Sequence, residues 1–99
     1  MQTIKSKELV QWPSGSLAEN FTFSCSAEGG VFEFHFKWLN DRWNCWVTLP
    51  DGEVRQAGVV PNVTSWSESK TYGLVFESGL PAIDYGSLFL TELYIITWI

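Results

Sequence analysis

Positive charge is scarce in this chain. Six lysines and arginines stand against eleven aspartates and glutamates, so the formal net charge is −5 over 99 residues. The six cations are scattered and form no basic stripe of the kind that neutralises phosphate groups. We therefore expect no nucleic acid among the partners.

Long apolar runs are also missing. A helix that crosses a membrane needs about 18 or more consecutive apolar residues, and the sequence has no such run. The start, Met1 to Ser6, lacks the charged and then apolar regions of a secretion signal. We expect a soluble protein that is made in a cytoplasm and has no membrane partner.

Groups that perform catalysis or hold metals are sparse. His35 is the single histidine, and Cys25 and Cys45 have no C-x-x-C spacing, so a zinc site is not expected. Three aspartates lie in turn-like sequences rather than as a pair of carboxylates, and no serine has a G-x-S-x-G context. We predict no enzymatic activity, no metal and no cofactor.

The two cysteines leave one alternative open. Cys25 and Cys45 fall on the apolar positions of two strands that we expect to be neighbours, so they could form a disulfide. Two cysteines in a chain without a secretion signal are more often reduced and buried. We therefore expect two free thiols.

Aromatic residues are abundant. Six tryptophans, seven phenylalanines and three tyrosines make up 16% of the chain, more than a small domain easily encloses in one core. Residues 32–38 alternate between aromatic side chains and charged or imidazole side chains, as in an antiparallel strand with one face on the core. We predict one wall of the core from Phe32, Phe34, Phe36 and Trp38, packed against Phe21, Phe23 and Trp43.

Turn sequences divide the chain into short β-rich runs. Pro50-Asp51-Gly52 predicts a hairpin turn in which Gly52 has φ > 0. We predict a loop over residues 78–87 and a single helical turn over 65–70, capped by Ser65 or Ser67. Strands are predicted over residues 2–10, 21–26, 32–38, 43–49, 53–60, 72–76 and 88–99. The predicted fold is one all-β domain, residues 1–99, an antiparallel barrel or sandwich of about seven strands.

Some aromatic residues remain for contacts with partners. Trp46 has the opposite strand parity to Trp43, so it either covers a second layer of a small barrel or binds a partner. The last strand is apolar on both parities and has no polar tail to protect a sheet edge, so we expect another chain to cover it. The predicted partner-binding residues are Trp12, Trp46, Trp66, Trp98 and Ile99.

The last two thirds of the chain resemble a known family. The pattern is a tryptophan-led strand over residues 43–49, Asp51-Gly52, the apolar segment 57–62, Gly73-Leu74, and Tyr85-Gly86 before the closing strand. It is similar to the small baseplate plug proteins of contractile-tailed bacteriophages. The resemblance implies an all-β, non-enzymatic virion protein that packs near the tail axis, in a tail baseplate assembled in the host cytoplasm.

The resemblance implies contacts with tail or baseplate proteins, namely hub, tube or spike, and a symmetric homo-oligomer is a second arrangement that would cover the last strand. The alternative function is an aromatic-rich carbohydrate-binding module, since tryptophan platforms and acidic loop residues suit stacking against sugars.

Overall fold

Seven antiparallel strands form two sheets in the computed structural model, which describes residues 3–66 and 71–99. The three-stranded sheet has the order β1-β7-β6, and the four-stranded sheet has the order β2-β3-β4-β5. Their bounds are β1 Ile4–Val10, β2 Asn20–Ala27, β3 Gly30–Leu39, β4 Arg42–Thr48, β5 Val54–Gly58, β6 Tyr72–Glu77 and β7 Glu92–Trp98. The sheets enclose one core between them, so the all-β prediction is confirmed and the architecture is a sandwich.

The four-stranded sheet is built from consecutive hairpins. Asn40 and Asp41 have φ of +53° and +58°, which gives the two-residue turn whose twist suits the pairing of β3 with β4. The turn before β5 follows the sequence prediction: Gly52 has φ of +92°, and the Glu53 N–H donates to Asp51 Oδ1 at 2.9 Å. Local turn chemistry thus determines the register of this sheet.

The inner face of β2 and β3 carries four phenylalanines whose rings are nearly parallel. Phe23 and Phe34 have centroids 5.2 Å apart, and Phe21 and Phe36 have centroids 5.3 Å apart. The predicted wall exists, but Phe21, Phe23 and Trp43 lie beside it in the same sheet rather than opposite it, because β2 and β4 flank β3. The three-stranded sheet contributes the opposing core residues, which are Val10, Leu74, Phe76, Leu93 and Ile95.

Residues 59–66, which follow β5, connect the two sheets along one side of the sandwich. The Asn62 N–H donates to the Phe76 carbonyl at 2.7 Å, and Ser65 and Leu74 exchange two backbone hydrogen bonds. The Trp66 Nε1–H donates to the Gln56 carbonyl at 2.9 Å, which ties the segment to β5. Ser65 therefore forms a β-bridge rather than the predicted helix cap, while residues 67–70 of the predicted helical turn, including Ser67, lie outside the described residues.

The predicted strand over residues 88–99 is wrong in its first part. Residues Tyr85–Leu90 form a 3-10 helix, and β7 begins only at Glu92. Asp84 caps this helix: the Ser87 N–H donates to Asp84 Oδ1 at 3.1 Å, and the Asp84 N–H donates to Ser87 Oγ at 2.9 Å. This reciprocal pair satisfies two donors at the helix start and competes with an extended backbone.

The expectation that the last strand is an exposed edge is also wrong. β1 pairs with one side of β7, from Ile4 opposite Trp98 to Val10 opposite Leu93. β6 pairs with the other side, so β7 is the central strand of its sheet. Its backbone hydrogen-bonding groups are therefore used within the chain.

The two cysteines do not lie on neighbouring strands as expected. β3 separates them, with Cys25 opposite Phe32 and Cys45 opposite Phe36. Both thiols are free. Burial raises the pKa of both thiols, that of the fully buried Cys45 most strongly, and the carboxylate of Glu8 adds to the effect at Cys25.

Candidate functional site

The outer surface of the three-stranded sheet is mostly apolar. Residues opposite one another across the strands point to the same side, which places Ile4 beside Trp98 and Leu9 beside Tyr94. We call this surface the Trp98 face and define it by Ile4, Leu9, Val75, Tyr94, Ile96 and Trp98. The alternate residues of β7 enter the core, so β7 is apolar on both sides.

Two residues of the Trp98 face are buried although they lie outside the core. Val75 is 6% exposed and Ile96 is 4% exposed, and neither belongs to the core cluster. Long side chains lie across the sheet around them: the Lys7 Nζ is 4.5 Å from the centroid of the Tyr94 ring, and the Trp98 indole packs over Gly73. Ile96 is therefore already covered within the monomer.

Solvent-exposed apolar side chains remain around this covered centre. Ile4 is 50% exposed, Leu9 is 49% exposed and Ile99 is 78% exposed. The Ile99 N–H donates to the Thr3 carbonyl at 2.9 Å, which fixes the last residue beside the first strand. The exposed apolar surface is thus held on hydrogen-bonded backbone.

The charged groups near the Trp98 face have hydrogen-bond partners within the chain. Lys7 forms an ion pair with Glu77, and this hydrogen bond raises the pKa of Lys7. The Tyr94 hydroxyl donates to Glu92 Oε2 at 2.9 Å, which raises the pKa of Tyr94. Lys7 and Glu77 neutralise each other, and the carboxylate of Glu92 lies at the end of β7 farthest from Trp98.

The outer surface of the four-stranded sheet differs in character. Here Thr22, His35, Trp46 and Gln56 form a row across all four strands. Trp46 points away from the core, is half-buried, and lies 5.5 Å from the His35 ring between centroids. A depression of about 540 Å³ surrounds it, which we call the Trp46 groove; it is lined by Thr22, Glu33, His35, Lys37, Leu39, Trp46, Thr48 and Val54.

The other two predicted tryptophans have partners inside the chain. The Trp12 Nε1–H donates to the Thr91 carbonyl at 2.8 Å, and its ring stacks on Phe89 with centroids 5.2 Å apart. Trp66 bridges to β5 through its indole N–H and lies 5.6 Å from the guanidinium of Arg55. The five predicted residues therefore do not form one site: Trp98 lies on the outer surface of the three-stranded sheet, Ile99 follows the end of β7, and Trp46 lies on the other sheet.

Ile4 and Leu9 could not be recognised from the sequence as surface residues of a site. They join the Trp98 face only because the first and last strands pair, a contact between residues far apart in the sequence. Alternation within residues 4–10 is modest, so neither residue stood out by pattern. The exposure of two large aliphatic side chains next to aromatic rings is visible only in the folded chain.

Across residues 3–66 and 71–99, no group of three or more histidine, cysteine, aspartate or glutamate side chains is placed to hold a metal ion. Nor does that part of the chain contain a helix long and apolar enough to span a membrane.

Comparison with known proteins identifies no relative. No protein-family model, no curated protein and no solved structure matches the chain. Membership of the baseplate plug family stays a prediction from the sequence pattern.

Proposed function

We propose that the protein is a non-enzymatic structural component of a contractile phage tail baseplate, where it packs near the tail axis and contacts hub, tube or spike proteins. The family resemblance supplies the setting. The observation that carries a contact role is the Trp98 face, where apolar residues lie on the side of β7 that the core does not use.

The composition of the Trp98 face supports a protein partner. Protein interfaces are enriched in aromatic residues and depleted of unpaired charge at their centres. Tyr94 and Trp98 provide the rings, while Ile4 and Leu9 provide exposed aliphatic area. Adjacent exposed apolar groups of this kind mark contact surfaces more often than isolated ones.

The backbone beneath the face favours binding by a rigid surface. β7 is hydrogen-bonded on both edges, so neither strand pairing nor the position of Trp98 has to change on binding. A preformed surface loses less conformational entropy on association than a disordered one. This suits a component that joins larger proteins in a fixed arrangement.

Charge substitutions at the rim of the face test this proposal. Leu9→Glu and Ile4→Glu place carboxylates among the exposed apolar groups without entering the core. Leu90→Asp is the control, because Leu90 is an aliphatic residue that is 78% exposed but lies outside the Trp98 face. Incorporation of each variant into phage tails is measured beside its melting temperature.

The expected result is poor incorporation of the two face variants, normal incorporation of the control, and unchanged melting temperatures for all three. Sedimentation of the purified wild-type protein distinguishes a tail-protein partner from a second copy of this chain. A stable homo-oligomer that the face variants dissociate would show that the partner is a second copy and not a hub, tube or spike protein. Normal incorporation of both face variants would refute the proposal. The carbohydrate alternative concerns the opposite sheet, whose outer surface is polar around one tryptophan.

A further inference from the structure

We propose that the Trp46 groove is a binding site for a short, neutral oligosaccharide of hexopyranose units. The groove lies on the four-stranded sheet, and its assignment is independent of the protein contacts proposed for the Trp98 face. Two observations carry it: one aromatic ring lies at the centre of the sheet, and hydrogen-bonding side chains from all four strands surround that ring.

The position of Trp46 is the first part of the argument. β4 is an inner strand of the sheet, so the ring lies between His35 of β3 and Gln56 of β5. A tryptophan here gains no contact with the core, since Cys45 and Val47 on either side of it fill that role. An indole that is half-buried on an outer sheet face offers a flat apolar surface to a ligand.

The surroundings of the ring are the second part. Thr22 and Thr48 supply hydroxyl groups that can donate or accept, Glu33 supplies an acceptor and Lys37 supplies a donor. Within the described part of the chain neither Glu33 nor Lys37 forms an ion pair, so both retain hydrogen-bonding capacity for a ligand. One carboxylate and one ammonium cancel in charge, which favours a neutral ligand over an anion or a cation.

A hexopyranose matches this arrangement of groups. One face of the sugar ring exposes C–H groups that pack on an aromatic ring, and its rim carries hydroxyl groups that need donors and acceptors. A protein partner would require a wider apolar centre with fewer charged groups. The groove is an open depression of about 540 Å³, a size within the range of small-molecule sites, so it suits a few sugar units rather than a polymer surface.

The groove is also held in place before a ligand arrives. The His35 Nε2 lies 2.7 Å from Asn20 Oδ1, which orients the imidazole that flanks Trp46. The strands beneath it are paired over their whole length, so the ring and its polar neighbours keep their spacing. The loss of entropy on binding then falls mainly on the sugar.

Titration of the whole protein with defined sugars tests the site. Maltohexaose, cellohexaose and chitohexaose are each added while the indole N–H resonances are followed by NMR. We expect at least one of the three to bind with a Kd of about 1 mM or tighter and to shift the Trp46 resonance. Trp46→Ala should weaken that binding by about tenfold or more, because the stacking surface is lost.

Matched variants complete the test. Tyr94→Ala removes a ring from the Trp98 face and should leave the Kd unchanged. Thr48→Val keeps the shape of the side chain but removes its hydroxyl, so it reports on the groove even if Trp46→Ala fails to fold, and it should raise the Kd severalfold. The proposal is overturned if none of the three sugars moves the Trp46 resonance, or if Tyr94→Ala abolishes binding while Thr48→Val does not.

Discussion

The Trp98 indole packs directly over the backbone of Gly73. A Cβ on residue 73 would lie 2.8 Å from Trp98 Cζ2 and 3.4 Å from the Ser65 carbonyl oxygen. Glycine at this position therefore allows the ring to pack closely against the sheet where β6 and β7 pair. The contact joins the Trp98 face to the strands that support it.

Gly73→Ala should destabilise the protein, because the added methyl group either displaces the indole or opens the strand pair. We expect a loss of about 1 to 3 kcal/mol in the free energy of unfolding, measured by urea denaturation. Gly79→Ala is the control, since a Cβ there meets nothing within 4 Å. Equal stability of the two variants would show that the Trp98 ring does not occupy this position.

Gly52→Ala should also be destabilised, for a different reason. Nothing lies within 4 Å of an added Cβ, so the cost comes only from the positive φ of the turn. The left-handed conformation costs about 1 to 2 kcal/mol for a residue with a side chain. An added Cβ has room at Gly52 and at Gly79, but only Gly52 has a positive φ, so we compare the melting temperatures of Gly52→Ala and Gly79→Ala. Identical melting temperatures would contradict the positive φ of the turn.

Phe34→Ala should remove most of the stability of the domain. The side chain is fully buried between Phe23 and Phe36, and truncation of a core phenylalanine typically costs about 3 to 5 kcal/mol. Val31→Ala, at an exposed position on the same strand, should melt close to the wild type. A small shift for Phe34→Ala would contradict the inward orientation of this residue.

Much of the four-stranded sheet could be predicted from the sequence because its determinants are local. Alternation over residues 32–38 and the Asp51-Gly52 turn each specify a short stretch of backbone, and both are present in the structure. The outward orientation of Trp46 followed from its strand parity, which is opposite to that of Trp43.

The three-stranded sheet could not be predicted in the same way. Its order depends on pairing of the first strand with the last, and no local pattern specifies a partner so far along the chain. Residues 88–90 were wrongly predicted as strand for another reason: their apolar sequence suits a strand, but the hydrogen bonds between Asp84 and Ser87 start a 3-10 helix that extends through them. The surface around Trp98 therefore became visible only with the tertiary fold.

The two cysteines should differ in their reaction with thiol reagents. Only the thiolate reacts, and the raised pKa values of both groups mean that less thiolate is present at neutral pH than in the unfolded chain. Cys45 is fully buried, so it should stay unmodified by iodoacetamide until the protein unfolds. Cys25 should react slowly, and faster as the pH rises; mass spectrometry of the intact protein would count the modified sites.

Mild oxidation, followed by the same mass measurement, tests the separation of β2 from β4. Under mild oxidation we expect no bond between Cys25 and Cys45, because β3 lies between them. Rapid alkylation of Cys45 in the native protein would contradict the structure of the four-stranded sheet. So would a mass after oxidation that is lower by two hydrogens, because that loss reports a disulfide.

Electron cryomicroscopy of assembled phage tails containing this protein tests the central claim most directly. The proposal predicts density for the chain near the tail axis, with Ile4, Leu9 and Trp98 buried against a hub, tube or spike protein. A map in which the chain is absent from the tail, or in which the Trp98 face is open to solvent while other surfaces make the contacts, would contradict it.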